Sequence, residues 1–184
     1  MSDITDLILR ARSGDSAAVG ALFDALYPDL RRIAHARLSR NVRDTLLDTT
    51  ALVHECFVKL AGAQRLQAED RVHFLAYAAT AMRSVVVDFA RARAAERRGG
   101  GAAHITLNTA IVDGTPAGED EILRVHEALA DIGRLDARLV QVVEMRYFGG
   151  MTDEEIAAAL GVTDRTVRRD WNKARLLLAE ALRQ

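Results

Sequence analysis

Five cationic side chains stand in or directly after the segment LGVTDRTVRRDW, which spans residues 160–171. They are Arg165, Arg168, Arg169, Lys173 and Arg175. Guanidinium and ammonium groups bind phosphate, and a planar guanidinium can also donate two hydrogen bonds to the edge of a guanine. The same charges could instead form the solvated face of a helical hairpin. The elements that hold them decide between these two interpretations.

The residues around these cations predict a helix-turn-helix. Thr152 followed by Glu155 has the pattern of a capping box, Gly161 suits a sharp turn, and Thr163 can cap the second helix. Helical spacing turns four residues of that helix inward: Val167, Trp171, Ala174 and Leu178. The outer face then carries Arg165, Thr166, Arg168, Arg169, Asn172 and Lys173. Because caps, glycine and cations agree, the sequence favours a DNA-recognition helix.

A second group of cations lies near the middle of the chain. Residues 83–98 contain five arginines and two acids, a net charge of about +3, and residues 164–175 also carry about +3. The stretch 102–163 carries eleven acids and four bases, about −7. The net charge of the whole chain is −1, which argues against a uniformly basic nucleic-acid binder. The pattern indicates two separate contact surfaces, one in each half.

Composition excludes several classes of protein. The chain has 184 residues, 49% of them hydrophobic, enough for packed cores in one domain or two small ones. Its apolar runs are far shorter than a membrane span and its N-terminus lacks a signal sequence, so we expect no membrane insertion. The single cysteine, Cys56, excludes an internal disulfide and fits a cytoplasmic location.

No set of residues predicts catalysis. The five histidines have no metal-ligand spacing with Cys56, and no nucleophilic triad has a recognisable context. The glycines of RRGGGA, residues 97–102, lack the following lysine and the preceding strand of a phosphate loop. We therefore expect no enzyme, no bound metal and no cofactor.

Helical periodicity covers almost the whole chain and predicts an all-α fold. Asp15 can cap a first helix, and Pro28 suits the first turn of a second. A third helix is predicted from about 50 to 62, and a fourth, with a buried stripe from Phe74 to Phe89, from about 72 to 98.

The glycines after the fourth helix predict a division into two small helical domains. They would span residues 1–98 and 121–184 and be joined by a flexible linker at 99–120. The acidic segment after the linker could lie against the basic residues 83–98 in the free protein and mask them. We expect the two domains to be docked variably or packed through an inhibitory contact.

Two stretches resemble one family in the expected order. TALVHECFVKLAG (50–62) followed by HFLAYAATAMRSVVVDFARARAAERRGGG (73–101) resembles regions 2.2 to 2.4 of bacterial sigma factors of the extracytoplasmic-function type, the sigma-70-like group 4. RYFGGMTDEEIAAALGVTDRTVRRDWNKARLLL (146–178) resembles their region 4. The TALVHE, MRxxxxD and RDWxxAR signatures are similar to those of one subgroup. The resemblance covers nearly the whole chain.

The resemblance implies a division of labour at a promoter. The first domain would bind the β′ clamp helices of core RNA polymerase and capture unstacked minus-ten bases, and the second would read the minus-thirty-five element and contact the β flap. The implied core-polymerase contacts are Asp48, Thr50, His54 and Glu55. The implied minus-thirty-five contacts are Arg165, Thr166, Arg168, Arg169 and Lys173.

Base capture at the minus-ten element would need a stacking surface and cationic contacts to the strand. The candidates are Tyr77, Arg83, Arg91, Arg93 and Arg97. Tyr77 could equally belong to the core. Arg83 could instead pair with an acid of its own domain, such as Asp88.

The segment LLDTTALVHECF departs from the family pattern, which is usually acidic at this point. Asp48 and Glu55 remain, but Thr49, Thr50 and Ala51 stand where further acids are expected. The threonines could simply be a turn residue and an N-cap. Alternatively, a Ser/Thr kinase adds the missing charge to Thr50, or second to Thr49, and so switches on core binding in place of release from an anti-sigma factor.

Two other functions remain open from the residues alone. A helix-turn-helix regulator with an N-terminal sensing or dimerising domain would bind symmetric half-sites as a dimer without core polymerase. A helical protein-interaction module would show no dependence on DNA.

Overall fold

The computed structural model describes residues 4–38, 49–62, 68–97 and 117–183, and every regular element in these ranges is a helix. This confirms the predicted all-α fold. The N-terminal half contains α1 (Ile4–Arg12), α2 (Ser16–Leu38), α3 (Thr49–Gly62) and α4 (Arg71–Arg97). The C-terminal half contains α5 (Ala117–Leu135), α6 (Ala137–Tyr147), α7 (Asp153–Leu160) and α8 (Asp164–Ala181).

The N-terminal helix α1 is absent from the sequence-based prediction. It has only nine residues, too few for a periodic pattern to stand out, and a helix this short is not stable alone in water. Leu7, Ile8 and Ala11 are buried against the core beneath α2 and α4. Tertiary packing therefore stabilises α1.

The predicted break at Pro28 is wrong, because α2 runs through it without interruption. An internal proline costs a helix roughly 3 kcal/mol through a lost hydrogen bond and a steric clash. Leu22, Leu26 and Leu30, however, are almost completely buried on one face of this helix. Each such side chain contributes about 1.5–3 kcal/mol by leaving water, which is enough to offset the proline.

The 27-residue helix α4, about 40 Å long, packs against both halves of the protein. The predicted inward stripe is confirmed at Phe74, Ala78, Met82 and Val85, which are buried, while Phe89 is partly buried against the same cluster. Helix α4 also contacts α5, α6 and α7. Helix α4 therefore packs against helices of both halves.

The turn between α6 and α7 approaches α4 closely because it contains Gly149. A Cβ added there would lie 3.1 Å from the Cβ of Ala79 and 2.5 Å from the carbonyl oxygen of Met145. Helix α5 begins at Ala117, inside the predicted linker 99–120. The sequence has three acids at 119–121, where the positive end of the helix dipole favours them. The earlier part of the predicted linker lies outside the described residues.

Candidate polymerase and nucleic-acid interfaces

The helix-turn-helix forms as its caps predict. The Glu155 backbone N–H donates to Thr152 Oγ1 at 3.2 Å, and the Thr152 N–H donates to Glu155 Oε2 at 2.9 Å, which completes the capping box. Gly161 ends α7 in the left-handed conformation with φ of +63°. The Thr163 hydroxyl then accepts from the Thr166 N–H at 3.2 Å and caps α8.

The outer face of α8 carries the predicted cations. Each of them forms an ion pair with an acidic side chain or is exposed to solvent. Arg165, Arg168, Arg169 and Lys173 are all exposed. Arg168 bonds to Asp164 and lies 4.0 Å from Asp153. These pairs are weak, because surface ion pairs contribute about 0–1 kcal/mol, so phosphate or a base edge can replace the acid. Thr166, by contrast, is half-buried at the cap.

Asp170 anchors this helix to α6, a role that the sequence analysis missed. Its side chain is only 3% exposed and accepts from Arg138 Nε at 2.7 Å and from the Arg169 guanidinium at 3.2 Å. The hydrogen bond to Asp170, followed by its charge, raises the pKa of Arg138. The sequence did contain a signal for this role, because Asp170 follows the inward-facing Val167 by three residues. The anchor fixes the orientation of α8 relative to α6.

The predicted core-polymerase surface lies on α3. This helix begins at Thr49, so Thr50 stands in its first turn and not at the N-cap. Thr50, His54 and Glu55 are exposed, whereas Thr49 is half-buried. Asp48 lies outside the described residues. The first turn therefore presents the Thr50 position to solvent.

The predicted minus-ten residues do not form one exposed surface. Tyr77 is partly buried and packs against the core, and Arg93 pairs with Glu96 at 3.4 Å. Arg91 is exposed, while the side chain of Arg97 lies outside the described part. Asp88, the predicted partner of Arg83, instead accepts from Lys59 Nζ at 2.5 Å.

Arg83 pairs with an acid of the opposite half. Its Nη1 lies 2.5 Å from Glu144 Oε1, and the Thr80 hydroxyl donates to Glu144 Oε2 at 2.8 Å. The two charged side chains are 13% and 11% exposed. The alternative of an ion pair within one domain is therefore wrong, because the partner comes from α6 and lies 61 residues away in sequence.

His126 of α5 sits between two arginines of α4. Its Nδ1 lies 3.1 Å from Arg83 Nη2, and its Nε2 lies 3.1 Å from Arg91 Nη2. Burial, followed by the charges of Arg83 and Arg91, lowers the pKa of His126 below its ordinary value of 6.5. The neutral ring is therefore the form that suits this contact.

Comparison with known proteins gives one positive result. A family model described as "ECF sigma factor" matches residues 1–184. No curated protein and no solved structure matches at a significant level. Among the described residues, no helix is long and apolar enough to cross a membrane, and no group of histidine, cysteine or acidic side chains could hold a metal ion.

Proposed function

We propose, from the premise that the chain belongs to the ECF sigma factors, that its two halves divide promoter recognition between them. Members of this family bind core RNA polymerase and direct promoter-specific initiation of transcription without an enzymatic activity of their own. In this proposal residues 1–98 act at the polymerase clamp and the minus-ten element. Residues 121–184 act at the minus-thirty-five element, and the protein works in the cytoplasm.

The observation that carries the proposal is the exposed cationic face of α8. Arg165, Arg168 and Arg169 lie within the first two turns of a capped recognition helix, where a helix-turn-helix reaches base edges. Lys173 lies one turn further along, where contacts to phosphate are expected, and Thr166 lies near the cap. The buried Asp170 holds this face outward.

For the N-terminal half we propose two surfaces. The exposed side of α3, with Thr50, His54 and Glu55, and with Asp48 before it, faces the β′ clamp helices. The minus-ten strand contacts α4 through its arginines, with Tyr77 as a partly buried stacking surface. The arginines are Arg83, Arg91, Arg93 and Arg97. The β flap would contact the C-terminal half.

Run-off transcription with core RNA polymerase tests the main proposal. We expect specific transcripts only when the protein and core polymerase are both present. The variant with alanine at 165, 168 and 169 is the control, since it keeps α3 and should bind core without selecting minus-thirty-five DNA. Binding to a palindromic site as a dimer without polymerase would support the alternative regulator. Absence of any DNA-dependent effect would support an interaction module.

We further propose that phosphorylation of Thr50 switches on core binding. Thr50 is exposed in the first turn of α3, where the helix dipole favours the roughly −1.5 to −2 charge of a phosphate. The added phosphate would replace the acids of the usual family pattern, in whose place Thr49, Thr50 and Ala51 stand here. One charge-assisted hydrogen bond to a polymerase arginine contributes about 1.5 kcal/mol or more, so we expect at least about tenfold tighter core binding.

The switch is measured as core-polymerase affinity before and after treatment with a Ser/Thr kinase. Thr50→Ala should abolish the gain, Thr50→Glu should restore part of it, and Thr49→Ala should leave it intact because Thr49 is half-buried. Equal, tight binding by treated and untreated wild type would contradict the switch. Control by a separate anti-sigma factor would then be the better explanation.

A further inference from the structure

The two halves share one buried apolar cluster and are also joined by polar contacts that bury charge. The carboxylate of Glu144 on α6 accepts hydrogen bonds from Arg83 at 2.5 Å and from Thr80 at 2.8 Å, both on α4. A more exposed ion pair joins Arg71 of α4 to Glu155 of α7 at 3.7 Å. Removal of one partner from a buried ion pair is costly, because it leaves the other charge buried and unpaired. These contacts therefore select one relative position of the halves.

Under the proposed function, we expect this position to be incompatible with simultaneous contact at both promoter elements. The minus-ten and minus-thirty-five elements lie 25 base pairs apart by their names, which is about 85 Å on straight DNA at roughly 3.4 Å per pair. Helix α4 is only about 40 Å long and touches α6 and α7 directly. The halves must separate before each can reach its own element.

We propose that Glu144 is an autoinhibitory plug. Its carboxylate binds Arg83 and Thr80 at the place where a phosphate of the minus-ten strand binds them in the open protein, in which the two halves have separated. The inference rests on the proposed function. A carboxylate and a phosphate offer a guanidinium the same paired oxygen acceptors, so either can bind Arg83, but not both at once. The free protein keeps Arg83 covered, and promoter DNA held by polymerase displaces Glu144.

The contacts of His126 add a second condition for closure, the docking of the two halves against each other. A neutral imidazole has one acceptor nitrogen and a protonated one has none, yet both ring nitrogens face arginine donors. The groups around the ring are Arg83, Arg91 and Asp88 of α4, Glu127 of α5 and, through Arg83, Glu144 of α6. Protonation therefore opposes the closed contact.

The direction of the pH effect follows from the lowered pKa of His126. The closed protein binds fewer protons than the open one over the interval between this lowered pKa and the ordinary value of 6.5. Closure therefore weakens as the pH falls through about 6.5, and the loss is complete below the lowered pKa. Above about pH 7.5 the plug should be at its most stable.

The plug leaves the other DNA-binding face uncovered. Arg165, Arg168 and Arg169 remain exposed on α8, while the side chain of Arg83 is only 13% exposed. Opening should therefore strengthen binding of single-stranded DNA and leave binding of minus-thirty-five duplex unchanged. This difference separates an autoinhibitory plug from a general change in charge.

Fluorescence energy transfer in the isolated full chain tests the opening directly. Dyes on Leu9→Cys and Leu135→Cys report the separation of the halves, since both positions are exposed. Cys56 can stay, because burial raises the pKa of its thiol to about 12 and so prevents labelling. We expect Glu144→Gln to increase the separation at pH 7.5. Glu154→Gln, which removes an exposed acid from the same half, should not change it.

The same variants are titrated with a fluorescent single-stranded DNA of about 12 nucleotides, within the site sizes of single-strand binders. Glu144→Gln should bind it about three- to tenfold more tightly, and the further change Arg83→Ala should abolish that gain. Circular dichroism confirms that each variant is folded. If Glu144→Gln unfolds, the charge exchange Arg83→Glu with Glu144→Arg provides the test, since it should close the halves that Glu144→Arg alone opens.

The outcomes separate the plug from the proposed function. An unchanged dye separation in Glu144→Gln and Glu144→Arg would overturn the plug even if run-off transcription succeeds. Opening without tighter strand binding would also overturn it, because Arg83 would then not be a covered strand contact. Absence of run-off transcription would count against the sigma-factor assignment of the halves, whatever the dyes report.

Discussion

Replacement of Leu139 by alanine should lower the free energy of unfolding of the C-terminal half by about 2–5 kcal/mol. Leu139 is completely buried in a cluster with Leu129, Ile132, Val143 and Ala174, which joins α5, α6 and α8. Its truncation removes apolar contacts and leaves a cavity that the surrounding helices can fill only partly. Since Ala174 lies in this cluster, the loss should also loosen the recognition helix.

Urea denaturation followed by circular dichroism measures this effect. Leu135→Ala is the matched control, because this leucine lies four residues earlier and is 81% exposed. That change should alter stability by no more than about 0.5 kcal/mol. Similar losses in the two variants would mean that the cluster beneath α8 is not the core of this half.

The recognition helix carries the second large effect. Alanine at Arg165, Arg168 or Arg169 should weaken binding of minus-thirty-five duplex by about 1–3 kcal/mol, roughly 5- to 150-fold, and relax selectivity at one base pair. Lys173→Ala should instead weaken binding of all DNA sequences evenly. It should also reduce the slope of the logarithm of the binding constant against the logarithm of salt concentration by about one. The reason is that base contacts carry sequence information and phosphate contacts do not.

Duplex binding over a series of salt concentrations, with single base-pair changes in the element, measures both effects. Arg183→Ala is the control, since this exposed arginine lies beyond the end of α8, where it pairs with Glu180. Unchanged selectivity in both Arg168→Ala and Arg169→Ala would mean that α8 meets DNA by another face. The contact between Asp170 and Arg138 would then hold a different face of α8 toward DNA.

Local signals in the sequence were sufficient for the helix-turn-helix. The Thr152 and Thr163 caps, the turn at Gly161 and the inward Val167 act within a few residues of one another, and all are confirmed. The stripe of α4 was predictable for the same reason. In each case the contacts that stabilise the element recur at the helical period.

The elements that the sequence analysis missed depend on distant contacts. Pro28 is a local helix breaker, but its cost is offset by leucines that pack against other helices. The nine residues of α1 are helical because the core buries one side of them. The acid that binds Arg83 could not be identified from counts of charge, since many acids of the C-terminal half were equally eligible and only folding selects Glu144.

The position of α4 has a consequence for the order of synthesis. The ribosome completes this helix roughly 50 residues before it reaches Glu144, and N-terminal units generally fold first. At about 5–20 residues per second, Arg83 would stand uncovered on the nascent chain for about 2.5 to 10 seconds. During that interval the guanidinium of Arg83 lacks the acid that binds it in the finished protein. Translation of α5 and α6 ends that exposure by supplying the acid.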